Sequence, residues 1–184
     1  MQVRLIYLEG CLFNNKMSNN RLALAKDLVL FILSKAGGRL EGATRLQKIA
    51  FLIVMEAGVR GGIGFEPSEY GPYSRDIADA VKELEEEGLI VVRREAVPES
   101  DKGYREVYEL VSKDAAKRAE ESLFGWHVLR RGGVARDVVW LWKDAPLVAL
   151  IEYVYRRYPE YATKSLIKDK VEDIVKALSR RYSL

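Results

Sequence analysis

Phe65-Glu66-Pro67-Ser68-Glu69-Tyr70-Gly71-Pro72-Tyr73-Ser74-Arg75-Asp76-Ile77 begins the stretch that decides the fold, and Gly88-Leu89 closes it. Proline fixes its φ near the helical value and lacks the N–H that a first-turn residue leaves unpaired. Gly71-Pro72 therefore reads as a turn that opens a helix. Ile77, Val81 and Leu84 then recur at helical spacing, and Gly88 falls where a left-handed C′ residue is wanted. Leu89 to Val92 reads as a strand. A helix that ends in Glu86-Glu87-Gly88-Leu89-Ile90 and feeds a hairpin is the sequence form of a winged helix-turn-helix. The expected class is α+β.

Upstream, a helix from Arg21 to Ala36 is capped by one of Ser18, Asn19 or Asn20 and stopped by Gly37-Gly38. Its apolar run is far shorter than the ~20 residues of a membrane span, so it is a core helix. The next helix begins at Thr44, which forms a Thr-x-x-Gln capping box with Gln47. Ile49 to Met55 is apolar without a break, so neighbours surround this helix on nearly all sides. Arg45, Gln47 and Lys48 crowd its first turn, which must then reach the surface. Gly58 ends it, and Gly61, Gly62 and Gly64 lead into the Phe65 stretch.

Downstream, Leu89–Glu95 and Tyr104–Val111 form two strands around a polar loop with Pro98, Ser100, Asp101 and Gly103. Ser112 caps a helix through Leu123, and Gly125 and Gly132-Gly133 mark breaks. Asp144 and Pro146 signal a helix that runs through Tyr158, with Leu147, Leu150, Ile151 and Val154 inward and Pro159 as its stop. A last helix from Thr163 carries Ile167, Val171, Ile174 and Leu178 at i, i+4, i+7 and i+11. The chain divides into residues 1–20, a winged-helix domain over 21–124, and an aromatic-rich helical extension over 125–184. The first segment is either an edge strand (Val3–Leu8) or lies upstream of a true start at Met17. Glu9 interrupts its apolar run, so it is not a signal peptide.

The 184 residues suffice for a real core, and 30 basic against 27 acidic residues demand no nucleic-acid partner. The charge is striped: residues 21–60 hold seven cations against three acids, whereas 61–88 hold two against eight. One Cys and one His exclude an internal disulfide and most zinc sites, and suit a reducing cytoplasm. High charge with few amides points to a hot habitat.

Three patterns carry a family resemblance. Thr44-Arg45-Leu46-Gln47-Lys48-Ile49-Ala50-Phe51-Leu52 resembles the Leu-Gln-Lys helix of YwgA-type proteins and of the Panacea domain in SocA-like antitoxins. Tyr70-Gly71-Pro72-Tyr73-Ser74 is similar to the Tyr-Gly-Pro motif that follows it there. Gly88-Leu89-Ile90 and Tyr108-Glu109-Leu110-Val111-Ser112 resemble winged-helix ends. The match covers roughly residues 22 to 120. It implies a non-enzymatic regulatory protein that binds DNA or neutralises a protein partner. Tyr73-Ser74 follows the YwgA-type form, where the antitoxins carry an aliphatic residue.

The first functional expectation is a transcriptional regulator that grips double-stranded DNA. Its phosphate contacts would be Arg45, Lys48, Arg75, Arg93, Arg94, Lys102 and Arg105, and a homodimer is compatible with it. Against it, the third helix carries six acids over residues 75–87, and each exposed carboxylate repels phosphate. The alternative is an antitoxin-like module whose acidic third helix meets a basic protein. Tyr70, Tyr73, Tyr155, Arg156 and Arg157 are its candidate partner contacts, because tyrosine is over-represented at interfaces. Tyr155-Arg156-Arg157-Tyr158 also mixes aromatics with cations as single-strand binders do. At helical spacing the same aromatics pack on the winged domain or on a second copy.

Enzymatic readings find little. Ser165-x-x-Lys168 lacks its companion motifs, Gly61-Gly62-Ile63-Gly64 lacks the lysine of a phosphate loop, and Asp76, Asp79 and Glu83 read as a solvated acidic face. Neither Cys11 nor His127 has a triad-type neighbour. No cofactor, metal, membrane or small-molecule substrate is expected.

Overall fold

The two longest apolar runs in the chain lie on helices that supply the middle of one buried cluster, and the other elements are laid around them. The structure is a computed structural model that describes residues 20–59, 62–98, 103–125 and 131–182. The Val3–Leu8 strand, Cys11, Met17, the cap candidates Ser18 and Asn19, Lys102 and His127 fall outside those residues.

Helix α1 covers 20–35 and buries Ala25 and every residue from Leu28 to Leu33. It ends as its glycines require, with Gly38 N–H on the Leu33 carbonyl at 2.8 Å and Gly37 N–H on that of Ser34 at 3.2 Å. Strand β1, Arg39–Glu41, follows. Helix α2, Ala43–Glu56, packs against β1 and against elements from both halves of the chain. Ile49 to Ile53 are buried, as the unbroken apolar run requires, but Met55 is 43% exposed. The enclosure expected through Met55 therefore stops short of the helix end.

The capping box is not formed. Helix α2 begins at Ala43 with Gly42 at the N-cap, and no side chain caps it. Water can solvate an exposed helix start, whereas a buried peptide has no such recourse. The Gln47 amide instead accepts from Ser74 N–H at 2.9 Å and donates to the Ser74 carbonyl at 3.1 Å.

Gly71-Pro72 is not the helix start either. Strands β2, Glu66–Ser68, and β3, Gly71–Tyr73, form a small antiparallel hairpin in which Pro67 faces Pro72. Two residues without N–H groups can face each other only at a non-hydrogen-bonded pair. Ser74 is the N-cap, with its Oγ accepting from Ile77 N–H at 3.4 Å, and α3 runs from Arg75 to Glu86. It buries Ile77, Ala80 and Leu84. Its end is a Schellman motif: Leu89 N–H meets the Leu84 carbonyl at 2.9 Å and Gly88 N–H that of Glu85 at 3.0 Å.

Strands β4, Ile90–Ala96, and β5, Tyr104–Leu110, pair antiparallel, and β1 pairs with the far side of β5. The sheet order is β1-β5-β4. Ser112 caps α4, Lys113–Gly125, through Ala115 N–H. The molecule is thus a mixed α+β structure with a small antiparallel sheet.

Three more helices complete it. Helix α5, Gly132–Trp142, was not expected from the sequence, because its glycine pair reads as a break. Ala135, Val138 and Val139 bury one face of it against α2. Helix α6, Leu147–Arg157, starts after an N-cap at Pro146 rather than at Asp144, and Leu147 is 37% exposed instead of inward. Pro159 begins a short 3₁₀ turn through Ala162, and α7 covers Lys168–Tyr182. Of the four apolar positions expected to line the last helix, Val171 is buried and Ile174 and Leu178 are exposed. Tyr158 and Tyr161 set their rings edge-on against Phe51 of α2, with centroids 5.0 and 4.7 Å away, so the aromatic segment shares the core of the first half.

Gly71 and Gly88 both have positive φ, 89° and 68°, but different surroundings. A Cβ on Gly71 would lie 2.6 Å from the Tyr155 ring, whereas one on Gly88 meets nothing within 4 Å. Gly88→Ala should therefore cost only the left-handed backbone term, about 1 kcal/mol. Gly71→Ala adds a clash inside a packed site and should cost on the order of 3 kcal/mol. Denaturant unfolding of the two variants checks that order.

Candidate interaction surface

Two of the seven expected phosphate contacts are engaged by main-chain carbonyls within the molecule. Lys48 has 2% of its surface exposed and donates from Nζ to the Pro72 carbonyl at 3.1 Å. Burial alone pushes its amine down to about 7. Arg45 is half-buried, and its guanidinium donates to the carbonyls of Trp142 (2.6 Å) and Ala145 (2.7 Å), fastening the α5–α6 turn to α2. The expected surface position of the first α2 turn is thereby corrected for Gln47 and Lys48. The helical period carried the signal, since Lys48 precedes Phe51 and Leu52 by three and four residues.

Arg93 and Arg105 are at the surface, but not as free charges. Arg93 pairs with Glu109 at 3.0 Å, and Arg105 with Glu41 at 2.7 Å and Glu95 at 3.1 Å. Arg39 joins the same lattice through Glu41, Glu95 and Glu109. Three arginines and three glutamates across β1, β5 and β4 make that sheet face neutral. Arg94 lies on the other face, its guanidinium 5.1 Å from the Tyr104 ring centroid. Arg75 is exposed at the start of α3, and neither it nor Arg94 has a carboxylate partner among the described residues.

The outer side of α3 exposes Arg75 and Lys82 against Asp79, Glu85, Glu86 and Glu87. Lys82 is within 3.8 Å of Glu86, and Lys26 of α1 neutralises Glu83 and Glu87 from the flank. Between α3, the start of α2, the β2–β3 turn and the β4–β5 hairpin lies a cleft of about 520 Å³. Tyr70, Tyr73, Val81, Glu85, Arg94 and Tyr108 are among its walls, with Lys48 at the base. The Tyr108 hydroxyl donates to Glu106 at 2.6 Å, and burial, with that carboxylate, pushes its phenol up.

The expected partner contacts separate. Tyr73 is 37% exposed and Tyr70 half-buried, both on the cleft. Tyr155 is 8% exposed, pressed against Gly71 with its hydroxyl 2.7 Å from Ser165 Oγ, so it is a packing residue and not a contact. Arg156 and Arg157 are exposed on α6, the former 3.8 Å from Glu152. Among the described residues no group of three or more His, Cys, Asp or Glu is placed to hold a metal ion, and no helix is long and apolar enough to cross a membrane. No protein-family model matches the chain, and comparisons with curated proteins and with solved structures find no match.

Lys48 makes stability pH-dependent in a definite direction. Between about 7 and the ordinary lysine value of 10.5, the unfolded chain holds a proton on this amine that the folded chain lacks. Stability should therefore rise as pH increases from 7, by up to about 1.4 kcal/mol per pH unit. Below pH 7 the folded state carries the whole cost. Lys48→Met should flatten the slope between pH 7 and 9, measured by urea unfolding at each pH.

Proposed function

We propose that this chain is a non-enzymatic winged-helix module that binds a basic partner protein through the outer face of α3. The winged-helix assignment rests on the element order α1-β1-α2-α3-β4-β5 and the strand order β1-β5-β4, with the β2–β3 hairpin inserted before α3. The likeness of the Leu-Gln-Lys and Tyr-Gly-Pro motifs to YwgA-type and Panacea-domain proteins supports the same reading.

One observation carries the choice of partner. In the position where a DNA reader presents cations, α3 presents four exposed acids against two cations, and of the hairpin arginines Arg93 and Arg105 are held by glutamates while Arg94 stands at the cleft. A phosphate must displace those carboxylates to reach Arg93 or Arg105, which removes most of the electrostatic gain. A basic protein surface meets Asp79 and Glu85 with no such competition, while Glu86 and Glu87 are held by Lys82 and Lys26. Tyr73 and Tyr70 at the cleft provide aromatic anchors beside the acidic helix.

The test compares the full chain with a variant carrying Asp79→Lys, Glu85→Lys and Glu86→Lys. A protein retained by the wild type should be lost from this variant, with affinity falling about tenfold or more, and kept by Arg93→Ala/Arg105→Ala. Duplex DNA should not be retained at moderate salt. Salt-dependent retention of DNA that drops with Arg75→Ala and Arg94→Ala would overturn the proposal in favour of a DNA-binding regulator.

A further inference from the structure

The second half of α7 is exposed among the described residues. Val171 is buried and Val175 packs against the core, but every residue from Lys176 to Arg181 is exposed. Ile174, Ala177, Leu178 and Arg181 fall at i, i+3, i+4 and i+7, one continuous face, with Ile174 39% and Leu178 44% exposed. A helical segment this short is marginal in water without packing, so an apolar face on it calls for a partner.

The charges on α7 say which partner. Asp169, Glu172 and Asp173 lie in its first half beside Lys168 and Lys170, and Lys176, Arg180 and Arg181 in its second. Glu172 and Lys176 pair within the helix at 3.7 Å. Asp169 and Asp173 have no cation partner among the described residues, and Lys168, Lys170, Arg180 and Arg181 no carboxylate. Lys168 and Lys170 offset the two leftover acids overall, but along one edge of the exposed face the order is Asp169, Asp173 and then Arg180. Asp173 and Arg180 are seven residues apart, along the same edge of that face. That edge is therefore complementary to itself when inverted.

We propose that two copies of this chain pair through antiparallel α7 helices about a twofold axis near Lys176. In that arrangement Ile174 of each copy packs on Leu178 of the other, Ala177 lets the helices approach, and Asp173 of each faces Arg180 of the other. A twofold axis makes both halves of the contact identical, as an isologous interface requires. A parallel pairing would stack arginine on arginine and aspartate on aspartate, so the charges also select the orientation.

Sedimentation equilibrium or light scattering on the full chain, up to concentrations on the order of 100 μM, tests this. The wild type should be a dimer. Ile174→Glu/Leu178→Glu should be monomeric, with its thermal transition kept because both side chains are exposed among the described residues. Asp173→Arg and Arg180→Asp should each weaken the dimer about tenfold or more, and the two together should restore it. Rescue by the double reversal is a result that a purely structural role for either residue would not give. A wild-type monomer at the highest concentration, a dimer whose mass none of these variants changes, or a double reversal without rescue would each overturn the proposal.

Discussion

Pro72 and Ser74 are buried beside α2, and two polar side chains of that helix satisfy their main chain. Gln47 matches the Ser74 peptide with one donor and one acceptor, and Lys48 closes the Pro72 carbonyl. A buried peptide without partners costs on the order of 1–3 kcal/mol per group, so these bonds fix where β3 ends and α3 begins. Ser74 then caps α3, which hands the chain to β4 through a Schellman turn. Tyr155 of α6 presses on Gly71 from the other side, so the same few residues join the α2–α3 unit to the C-terminal helices. The Leu46-Gln47-Lys48 and Tyr70-Gly71-Pro72 stretches are, in three dimensions, a single contact.

That contact also explains the charge of the surface. Lysine and arginine at the start of α2 are turned inward to bond carbonyls, which removes cations from the side where α3 is exposed. The sheet face removes more by pairing each arginine with glutamates on neighbouring strands. What remains outward on α3 is acidic. A partner of opposite sign is the economical consequence, and the proposed reading follows from this subtraction rather than from any one acidic residue.

The aromatic segment has a structural role at most of its positions. Tyr158 and Tyr161 enclose Phe51, and Tyr153 donates to Glu56 at 2.9 Å while stacking near Trp142. These rings give α2 the neighbours that its all-round apolar sequence demands. Helix α7 extends past this packing, and its exposed face is where the proposed second copy docks.

By itself, the sequence determined the elements whose signals are local. The apolar periods of α1 and α3, the Ile49–Ile53 run, the Ser112 cap and the left-handed Gly88 needed only neighbours a turn away to be read. The tertiary structure alone decided which polar groups are free. Arg39 meets Glu95 across 56 residues of chain, and Arg45 meets Ala145 across 100, so no local window shows that either cation is engaged. Pro72 likewise entered a strand because Pro67 lay opposite it, and Gln47 left its helix cap because Ser74 needed it more. Ile174 and Leu178 have the period of a buried face, and only the end of the packed body left them in water. Periodicity records which residues share a face; what stands against that face is settled by the rest of the fold.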